Sequence, residues 1–258
     1  SSTARHVPYV LGMIFAVLAA GILIGGHFYY RGHERHYRAE VERQLNAIAD
    51  LKVAELVDWR QERLGDASIL FNNDAFSALV RRYLDKPGDV EARNHLRTWL
   101  GQFQSRLSYN RVYLLDTQGA PRIAVPDTSE PVAPHLARDA VEAMRSGKVT
   151  FLDFHHDAPD GPIHLTILVP VIEGRGDRRP LGVLVLRINP ATYLYPFISR
   201  WPTPSPTAET FIVRRDGDDA LFLNELRFRK NTALSLRIPL TRTEMPAVMA
   251  ALGREGIV

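Results

Sequence analysis

The sequence predicts an α+β fold in which long helices precede a five-stranded antiparallel sheet. Between Gly32 and Gly65 there is neither proline nor glycine, and apolar residues such as Val41, Leu45 and Ile48 recur at helical spacing. Beyond about residue 110 the apolar residues form short runs bounded by turns, which is typical of strands. Helices that come before an antiparallel sheet commonly cover one of its faces.

The first helix is predicted by an apolar run that begins at Val7 and ends at Tyr30. The run contains no Asp, Glu, Lys or Arg, and about 20 such residues suffice to cross a bilayer. A secretory signal peptide is the alternative, but its apolar core usually has only about 7 to 15 residues. We therefore expect an uncleaved membrane anchor within residues 1–32.

Small residues form two rows along this apolar run. One row contains Gly12, Ala16 and Ala20, and the other contains Gly21 and Gly25. Rows of this kind let two membrane helices approach closely. They favour a homodimer, although small residues are also common in single spans.

Three helices are expected before the sheet. The long helix continues to about residue 65, and two more follow at about residues 74–84 and 90–107. The segment Lys86-Pro87-Gly88-Asp89 separates these two, because proline and glycine interrupt helices.

The five strands are predicted from short apolar runs and the turns between them. Turns are expected at Thr117-Gln118-Gly119 and at Gly174-Arg175-Gly176-Asp177, and one helix at about 133–145 interrupts the strands. The predicted strands are residues 111–115, 122–125, 149–154, 163–172 and 181–188.

A change of composition marks a linker at residues 201–206, where three prolines alternate with other residues. Beyond it, strands at 209–215 and 220–223 flank Asp216-Gly217-Asp218-Asp219, whose composition predicts a hairpin turn. A short helix is expected at about 245–252. Because two strands and a helix do not close a sheet, we expect a second domain that is cut short at Val258.

The bulk composition excludes several classes of function. The formal charge is only +3, with basic and acidic residues interspersed, so a nucleic-acid partner is not expected. The chain has no cysteine, which excludes disulfides, thiolate metal sites and thiol nucleophiles.

The segment Arg111-Val112-Tyr113-Leu114-Leu115-Asp116-Thr117-Gln118-Gly119 resembles the strand, turn and strand opening of extracytoplasmic PAS-like sensor domains of the Cache type. The order of anchor, long helix, sheet domain and smaller unit resembles the double-Cache arrangement. The stretch from Trp201 through Glu209 to Arg227 is similar to the proximal-domain opening in sensor histidine kinases with PAS modules. The resemblance implies an anchor segment (1–32), a membrane-distal Cache domain with its long helix (33–190) and a partial membrane-proximal domain (191–258).

Regions of this type belong to bacterial transmembrane receptors. The resemblance therefore implies the ligand-sensing part of a sensor histidine kinase in a two-component system, held in the cell membrane with its sensor domain on the periplasmic side. The sensor region of a diguanylate cyclase or chemoreceptor is an alternative, as is a tethered binding module without signalling output. No phosphate loop, Gly-x-Ser-x-Gly elbow or paired-histidine motif supports catalysis by this segment. A membrane-bound hydrolase ranks last, and it would depend on His164 or Asp153.

Strand alternation predicts where the ligand binds. In the run 163–168, His164 and Thr166 share one strand face, and the apolar residues share the other. If the apolar face meets the helices, the polar face lines a pocket for a small polar molecule, whereas the alternative is a solvated sheet face. The candidate ligand-binding residues are Tyr113, Arg122, Asp153, His155, His164 and Thr166.

Neither a metal site nor a cofactor is expected. The run His155-His156-Asp157 contains metal-ligating residue types, but adjacent residues on a strand point in opposite directions and do not readily share one ion. The Tyr, Trp, Arg and Asp constellation of the amino-acid-binding Cache members does not align with this sequence. The resemblance therefore does not imply amino-acid sensing.

Overall fold

The computed structural model describes residues 7–71, 73–128, 130–158, 161–174, 179–202 and 205–256, and side chains at residue 13 and from residue 15 onward. The chain divides into two units, Ser1–Ala54 and Glu55–Val258. The described helices are α1 (Val7–Phe71), α2 (Asp74–Asp85), α3 (Val90–Arg106), α4 (Pro134–Ser146), α5 (Leu194–Ser199) and α6 (Pro246–Ala251). The described strands are β1 (Arg111–Asp116), β2 (Pro121–Val125), β3 (Thr150–His156), β4 (Ile163–Ile172), β5 (Pro180–Ile188), β6 (Val213–Asp216), β7 (Asp219–Phe222) and β8 (Arg237–Pro239).

The predicted five-stranded antiparallel sheet is confirmed. Its strand order is β2-β1-β5-β4-β3, and each neighbouring pair is antiparallel. The α+β class is therefore confirmed as well. The predicted turn at 174–177 lies largely outside the described residues, because residues 175–178 are not among them.

Helices cover one face of this sheet, as the sequence predicts. Helix α2 begins at the N-cap Asn73 and helix α3 at the N-cap Asp89, and each cap side chain accepts a hydrogen bond from the first helical turn. Their apolar side chains join one buried cluster with alternate residues of the central strands. Members of this cluster include Val80, Leu96, Leu100, Val112, Leu114, Leu165, Ile167, Leu184 and Leu186.

Helix α4 packs on the opposite face of the sheet. Its Leu136 and Ala140 are fully buried against a second apolar cluster that includes Leu115 of β1 and Val185 of β5. The helix ends at Gly147, whose φ of 61° is left-handed and favours glycine. The sheet is thus covered on both faces, so any binding site on the α4 side lies between the helix and the strands.

A smaller three-stranded sheet has the order β6-β7-β8. The hairpin predicted at 216–219 is confirmed, with β6 and β7 antiparallel and Gly217 at a φ of 63°. Strand β8 and helix α5 were not predicted. Proline lies within each of them, at Pro239 and Pro196, and proline normally argues against both strand and helix.

The predicted anchor is not shown by the structure. Within the described residues, no helix has an apolar stretch of sufficient length to cross a bilayer. The side chains of residues 7–12 and of residue 14, which belong to the predicted anchor, lie outside the described set.

Candidate functional site

Polar side chains gather on the α4 side of the sheet, at one end of its central strands. The register pairs Thr166 of β4 with Arg187 of β5, and His155 of β3 with His164 of β4. Since side chains alternate between faces, these four residues share the face that carries the second apolar cluster. Three of them are almost fully buried, with exposed fractions of 0% for Thr166 and 5% for both Arg187 and His164.

Arg187 lies at the centre of this group. Its guanidinium forms an ion pair with Asp157, which follows β3 directly. Its Cζ atom also lies 5.3 Å from the ring centroid of Tyr113, so the ring faces a buried cation. Because an unpaired charge would be costly at this depth, Asp157 is the partner that permits the burial of Arg187.

Three histidines surround the Asp157 carboxylate. The Nε2 atoms of His135 and His155 lie 3.9 Å and 3.7 Å from Oδ1, and the Nε2 atom of His164 lies 3.8 Å from Oδ2. These distances are too long for hydrogen bonds. We call the set the polar cluster, and its members are Tyr113, His135, His155, Asp157, His164, Thr166 and Arg187.

Hydrogen bonding fixes the tautomer of His155. Its Nδ1 atom lies 2.8 Å from the backbone oxygen of Asp153, which can only accept, so Nδ1 carries the proton. The lone pair is therefore on Nε2, where the Thr166 hydroxyl, 3.4 Å away, is the donor. Burial lowers the pKa of His155 and so favours the neutral imidazole.

Burial also lowers the pKa of His164, and the nearby positive charge of Arg187 lowers it further. His164 is therefore neutral near pH 7. The ion pair of the polar cluster is that of Arg187 and Asp157.

A second arginine borders the polar cluster. Arg111 donates a hydrogen bond of 3.3 Å to the hydroxyl of Tyr113 and another of 2.6 Å to Glu130. The hydrogen bond to Tyr113 is the main reason why the pKa of Arg111 is raised, and the bond from Arg111 lowers the pKa of Glu130. Arg111 thus orients the Tyr113 side chain from the edge of the site.

Several buried polar atoms of the polar cluster have no hydrogen-bond partner among the described residues. They are Nδ1 of His164, Nε of Arg187, Nε2 of His135 and Oδ1 of Asp157. Buried polar groups normally have partners, and an unsatisfied one costs about 1–3 kcal/mol. Because these atoms are concentrated in one place, we take the polar cluster as the candidate binding site.

The structure brings together four of the six residues predicted from the sequence: Tyr113, His155, His164 and Thr166. Arg122 lies at the other end of the sheet, where it donates hydrogen bonds to Asp116 at the β1–β2 turn. Its side chain is half exposed. Strand alternation predicts which face of the sheet a side chain lies on. It does not predict whether two side chains on that face lie at the same end of the sheet.

An irregularity in β3 keeps the side chain of Asp153 out of the polar cluster. The register with β4 shifts between Leu152 and His155, so simple alternation fails over these residues. The Asp153 carboxylate instead accepts a hydrogen bond of 2.9 Å from Arg214 of β6. The Asp153 side chain thus connects the two sheets and does not contribute to the predicted pocket.

Three members of the polar cluster were missed at the sequence level. Arg187 is the single charged residue in the otherwise apolar strand β5. A charged residue in such a strand indicates a buried, paired charge, so the sequence could have identified it. His135 lies in the first turn of α4 and Asp157 follows β3, so only the folded chain shows that they meet. Strand alternation correctly separates His155 from His156, whose Nδ1 contacts the Gly161 carbonyl oxygen at 2.6 Å. His155 and Asp157, which are two residues apart, lie on the same side, and the sequence-based prediction did not take this into account.

Two of the open grooves found in the described residues lie on the face of the sheet away from α4. One of about 850 Å³ is lined by Trp59, Arg106 and Tyr193 among others. A smaller one of about 380 Å³ is lined by residues that include Phe154 and Asp153. A third groove, of about 580 Å³, lies against α4 and is lined by residues that include Gln118, Ala137 and Arg138. None of the three grooves includes a member of the polar cluster.

No protein-family model matches the chain, and no curated protein matches it. Among solved structures, the ligand-binding domain of the Pseudomonas fluorescens chemoreceptor CtaA in complex with L-serine has a TM-score of 0.51 and 16% identity, covering 80% of this chain and 79% of that one. The ligand-binding domain of the Pseudomonas aeruginosa PAO1 amino acid chemoreceptor PctC in complex with GABA has a TM-score of 0.50 and 17% identity, covering 85% and 86%. The V. cholerae histidine kinase DctB sensor domain has a TM-score of 0.49 and 13% identity, covering 67% and 62%.

The likeness to the two chemoreceptor domains shows that this chain has the fold of Cache-type ligand-binding domains. This finding confirms the fold that the sequence resemblance predicted. Because the identities are below 20%, the likeness concerns the fold alone.

Proposed function

We propose that this chain is the ligand-sensing region of a bacterial transmembrane receptor, in first place a sensor histidine kinase of a two-component system. The observation that carries the proposal is the set of buried, unpartnered polar atoms in the polar cluster, on a fold shared with ligand-binding domains of receptors. A site of this kind binds a small molecule and requires no chemistry of its own.

The proposed ligand is a small polar molecule with an anionic group. Arg187 keeps an unpartnered Nε donor, and His164 keeps an unpartnered Nδ1. A carboxylate accepts from guanidinium donors with strong, directional hydrogen bonds. The related folds were solved with L-serine and with GABA, and both of these molecules carry a carboxylate.

The position of the polar cluster suggests how binding produces a signal. Helix α4 supplies His135, and strands β4 and β5 supply His164 and Arg187. A ligand held between these two layers binds more tightly to one arrangement of them than to another. It then shifts the equilibrium between arrangements by that difference in affinity.

The remaining parts of the proposal rest on the sequence. We propose that residues 7–30 anchor the chain in the cell membrane, with the sensor region on the periplasmic side. The small-residue rows in that segment favour a homodimer. Residues 191–258, including the sheet β6-β7-β8, are proposed as part of a membrane-proximal domain.

A chemoreceptor is the second candidate. Two solved structures with TM-scores of at least 0.50, those of CtaA and PctC, are chemoreceptor ligand-binding domains. The coding sequence beyond Val258 distinguishes the two candidates. An apolar span followed by a kinase core there supports the sensor histidine kinase. An apolar span followed by a chemoreceptor signalling domain supports the chemoreceptor. A stop codon there favours a tethered binding module.

A thermal-unfolding screen tests ligand sensing itself. The full chain, purified in detergent, is heated with a panel of amino acids, dicarboxylates and other small carboxylates. A ligand present at about 100 times its Kd stabilises the folded state by about 2.7 kcal/mol, which raises Tm measurably. If no compound in the panel raises Tm, the proposed ligand class is wrong.

A further inference from the structure

We propose that His135, His155 and Asp157 form a binding site for a divalent transition-metal ion such as Zn²⁺. One ring nitrogen of His135, one ring nitrogen of His155 and a carboxylate oxygen of Asp157 all lie within 4.8 Å of one another. Two imidazoles and a carboxylate are a donor set that Zn²⁺ and its neighbours in the first transition row bind well. The proposal goes beyond ligand sensing and stands whether or not the chain is a receptor.

The distances between these atoms are close to those of a metal site. A tetrahedral Zn²⁺ bound at about 2.0–2.1 Å places its donor atoms about 3.4 Å apart. The two Nε2 atoms lie 3.9 Å and 3.7 Å from Asp157 Oδ1. A contraction of about 0.3–0.5 Å therefore brings these two distances to the tetrahedral spacing.

Two of these three donor atoms have no hydrogen-bond partner without an ion, and Nε2 of His155 has the Thr166 hydroxyl at 3.4 Å. Nε2 of His135 and Oδ1 of Asp157 are buried and make no hydrogen bond to any described residue. The contacts between them are too long for hydrogen bonds. An ion placed between the three side chains satisfies both atoms at once, whereas the polar cluster alone leaves them desolvated.

Surrounding groups hold two of the ligands in the required state. The Asp153 backbone oxygen accepts from Nδ1 of His155 at 2.8 Å, so Nε2 of His155 carries the lone pair that a metal needs. Arg187 pairs with Oδ2 of Asp157 and leaves Oδ1 facing the two imidazoles. Outer groups of this kind commonly orient metal ligands.

The three residues come from separate parts of the chain. His135 lies in the first turn of α4, His155 in β3, and Asp157 directly after β3. His155 and Asp157 are two residues apart and therefore share a side, while His156 between them contacts Gly161. A metal ion here links α4 to the sheet, the same two layers that contribute to the polar cluster.

Metal titration of the full chain in detergent, stripped with a chelator and dialysed, tests the proposal. A chromophoric indicator that competes for Zn²⁺ reports how much of the metal the protein binds. We expect the wild type to bind one more equivalent of Zn²⁺ than either single variant, His135→Ala or His155→Ala. The affinity at this site should fall at least about 100-fold, since loss of an outer partner alone costs up to that factor. Co²⁺ in the wild type should show the intense visible absorption of a tetrahedral nitrogen and oxygen site.

His95→Ala is the matched control, because His95 is an exposed histidine of α3. This variant should keep the full stoichiometry. His135→Ala tests the site with little risk to folding, since the His135 side chain is 32% exposed. Equal Zn²⁺ stoichiometry and affinity in the wild type and in both site variants, or no binding by the wild type, would overturn the proposal.

The outcome is separable from that of the proposed ligand sensing. The carboxylate screen is performed on metal-free protein and reads Tm, whereas the titration reads bound Zn²⁺. A metal site without any stabilising carboxylate would support this inference while removing the proposed ligand class.

Discussion

Arg187 and Asp157 form an ion pair in which the arginine side chain is only 6% exposed and the aspartate 19%. The arginine reaches this depth from a central strand, and the aspartate comes from the end of an outer one. Because each charge is largely removed from water, the stability of the polar cluster depends on the two being kept together.

Removal of one member of this pair should destabilise the protein strongly. We expect Arg187→Met to lower the free energy of unfolding by about 3 kcal/mol, because it leaves Asp157 without its cation. The double variant Arg187→Met with Asp157→Leu should recover part of that loss, since neither charge then remains buried. Urea denaturation of the two single variants and the double variant measures the coupling. Strictly additive losses would show that the pair does not act as a unit.

The central strands leave no room for a side chain at Gly182. A Cβ atom there would collide with the carbonyl oxygen of Leu115 on the neighbouring strand. We expect Gly182→Ala to lower the free energy of unfolding by about 3 kcal/mol, as overpacking does in well-packed interiors.

Gly65→Ala is the matched control for this substitution. Gly65 lies exposed within α1, and an added Cβ would meet nothing within 4 Å. Alanine should stabilise the helix there by about 0.5–1 kcal/mol. Thermal unfolding of both variants measures the two changes in stability. If Gly182→Ala and Gly65→Ala change the stability by similar amounts and in the same direction, the packing argument is wrong.

Asp116 organises the turn between β1 and β2. Its carboxylate accepts hydrogen bonds from the backbone N–H groups of Gln118 and Ala120 and from Arg122. Burial alone would raise the pKa of Asp116, but these hydrogen bonds outweigh it, and the pKa is lowered. A carboxyl group with a lowered pKa stabilises the fold above its unfolded pKa, about 3.9. This contribution is lost as the pH falls through the folded pKa.

Asp116→Asn removes the charge while keeping one acceptor oxygen. We expect the free energy of unfolding at pH 7 to be about 1.5 kcal/mol higher for the wild type than for this variant, which is the lower end of the range for hydrogen bonds to a charged group. The difference should be constant above about pH 5 and shrink toward pH 2, where the wild-type carboxyl group is protonated. Urea denaturation at a series of pH values measures it. A gap that stays constant down to pH 2 would argue against this role of the charge.

The sequence predicted the layers of the fold well, because helical and strand periodicities are local signals. The runs that became β4 and β5 carry enough consecutive apolar residues to identify buried strands. Strand β8 has three residues and ends in Pro239, so no local pattern marked it. It forms only because β7 offers a free edge for pairing.

The binding site was less accessible from the sequence. Face alternation placed His164 and Thr166 correctly on the face opposite the α2 and α3 helices, since that rule needs only one strand. Asp153 was misplaced by the register shift in β3, which no sequence pattern shows. His135 and Asp157 meet only through the packing of α4 on the sheet, a contact between segments distant in sequence.

A binding measurement on two arginine variants tests the central claim, that the polar cluster is the ligand site. Arg187 and Arg122 each receive the same substitution, Arg187→Gln and Arg122→Gln; Arg122 bonds Asp116 outside the polar cluster. His164→Leu is included because His164 makes no hydrogen bond at Nδ1, so its loss leaves folding largely intact.

Calorimetric titration with the carboxylate that most raises Tm of the wild type gives the decisive comparison. We expect unchanged affinity for Arg122→Gln. Affinity should be at least about tenfold weaker for Arg187→Gln and for His164→Leu, because each variant loses a hydrogen bond to a charged ligand worth about 1.5–3 kcal/mol. Wild-type affinity in both Arg187→Gln and His164→Leu would contradict it.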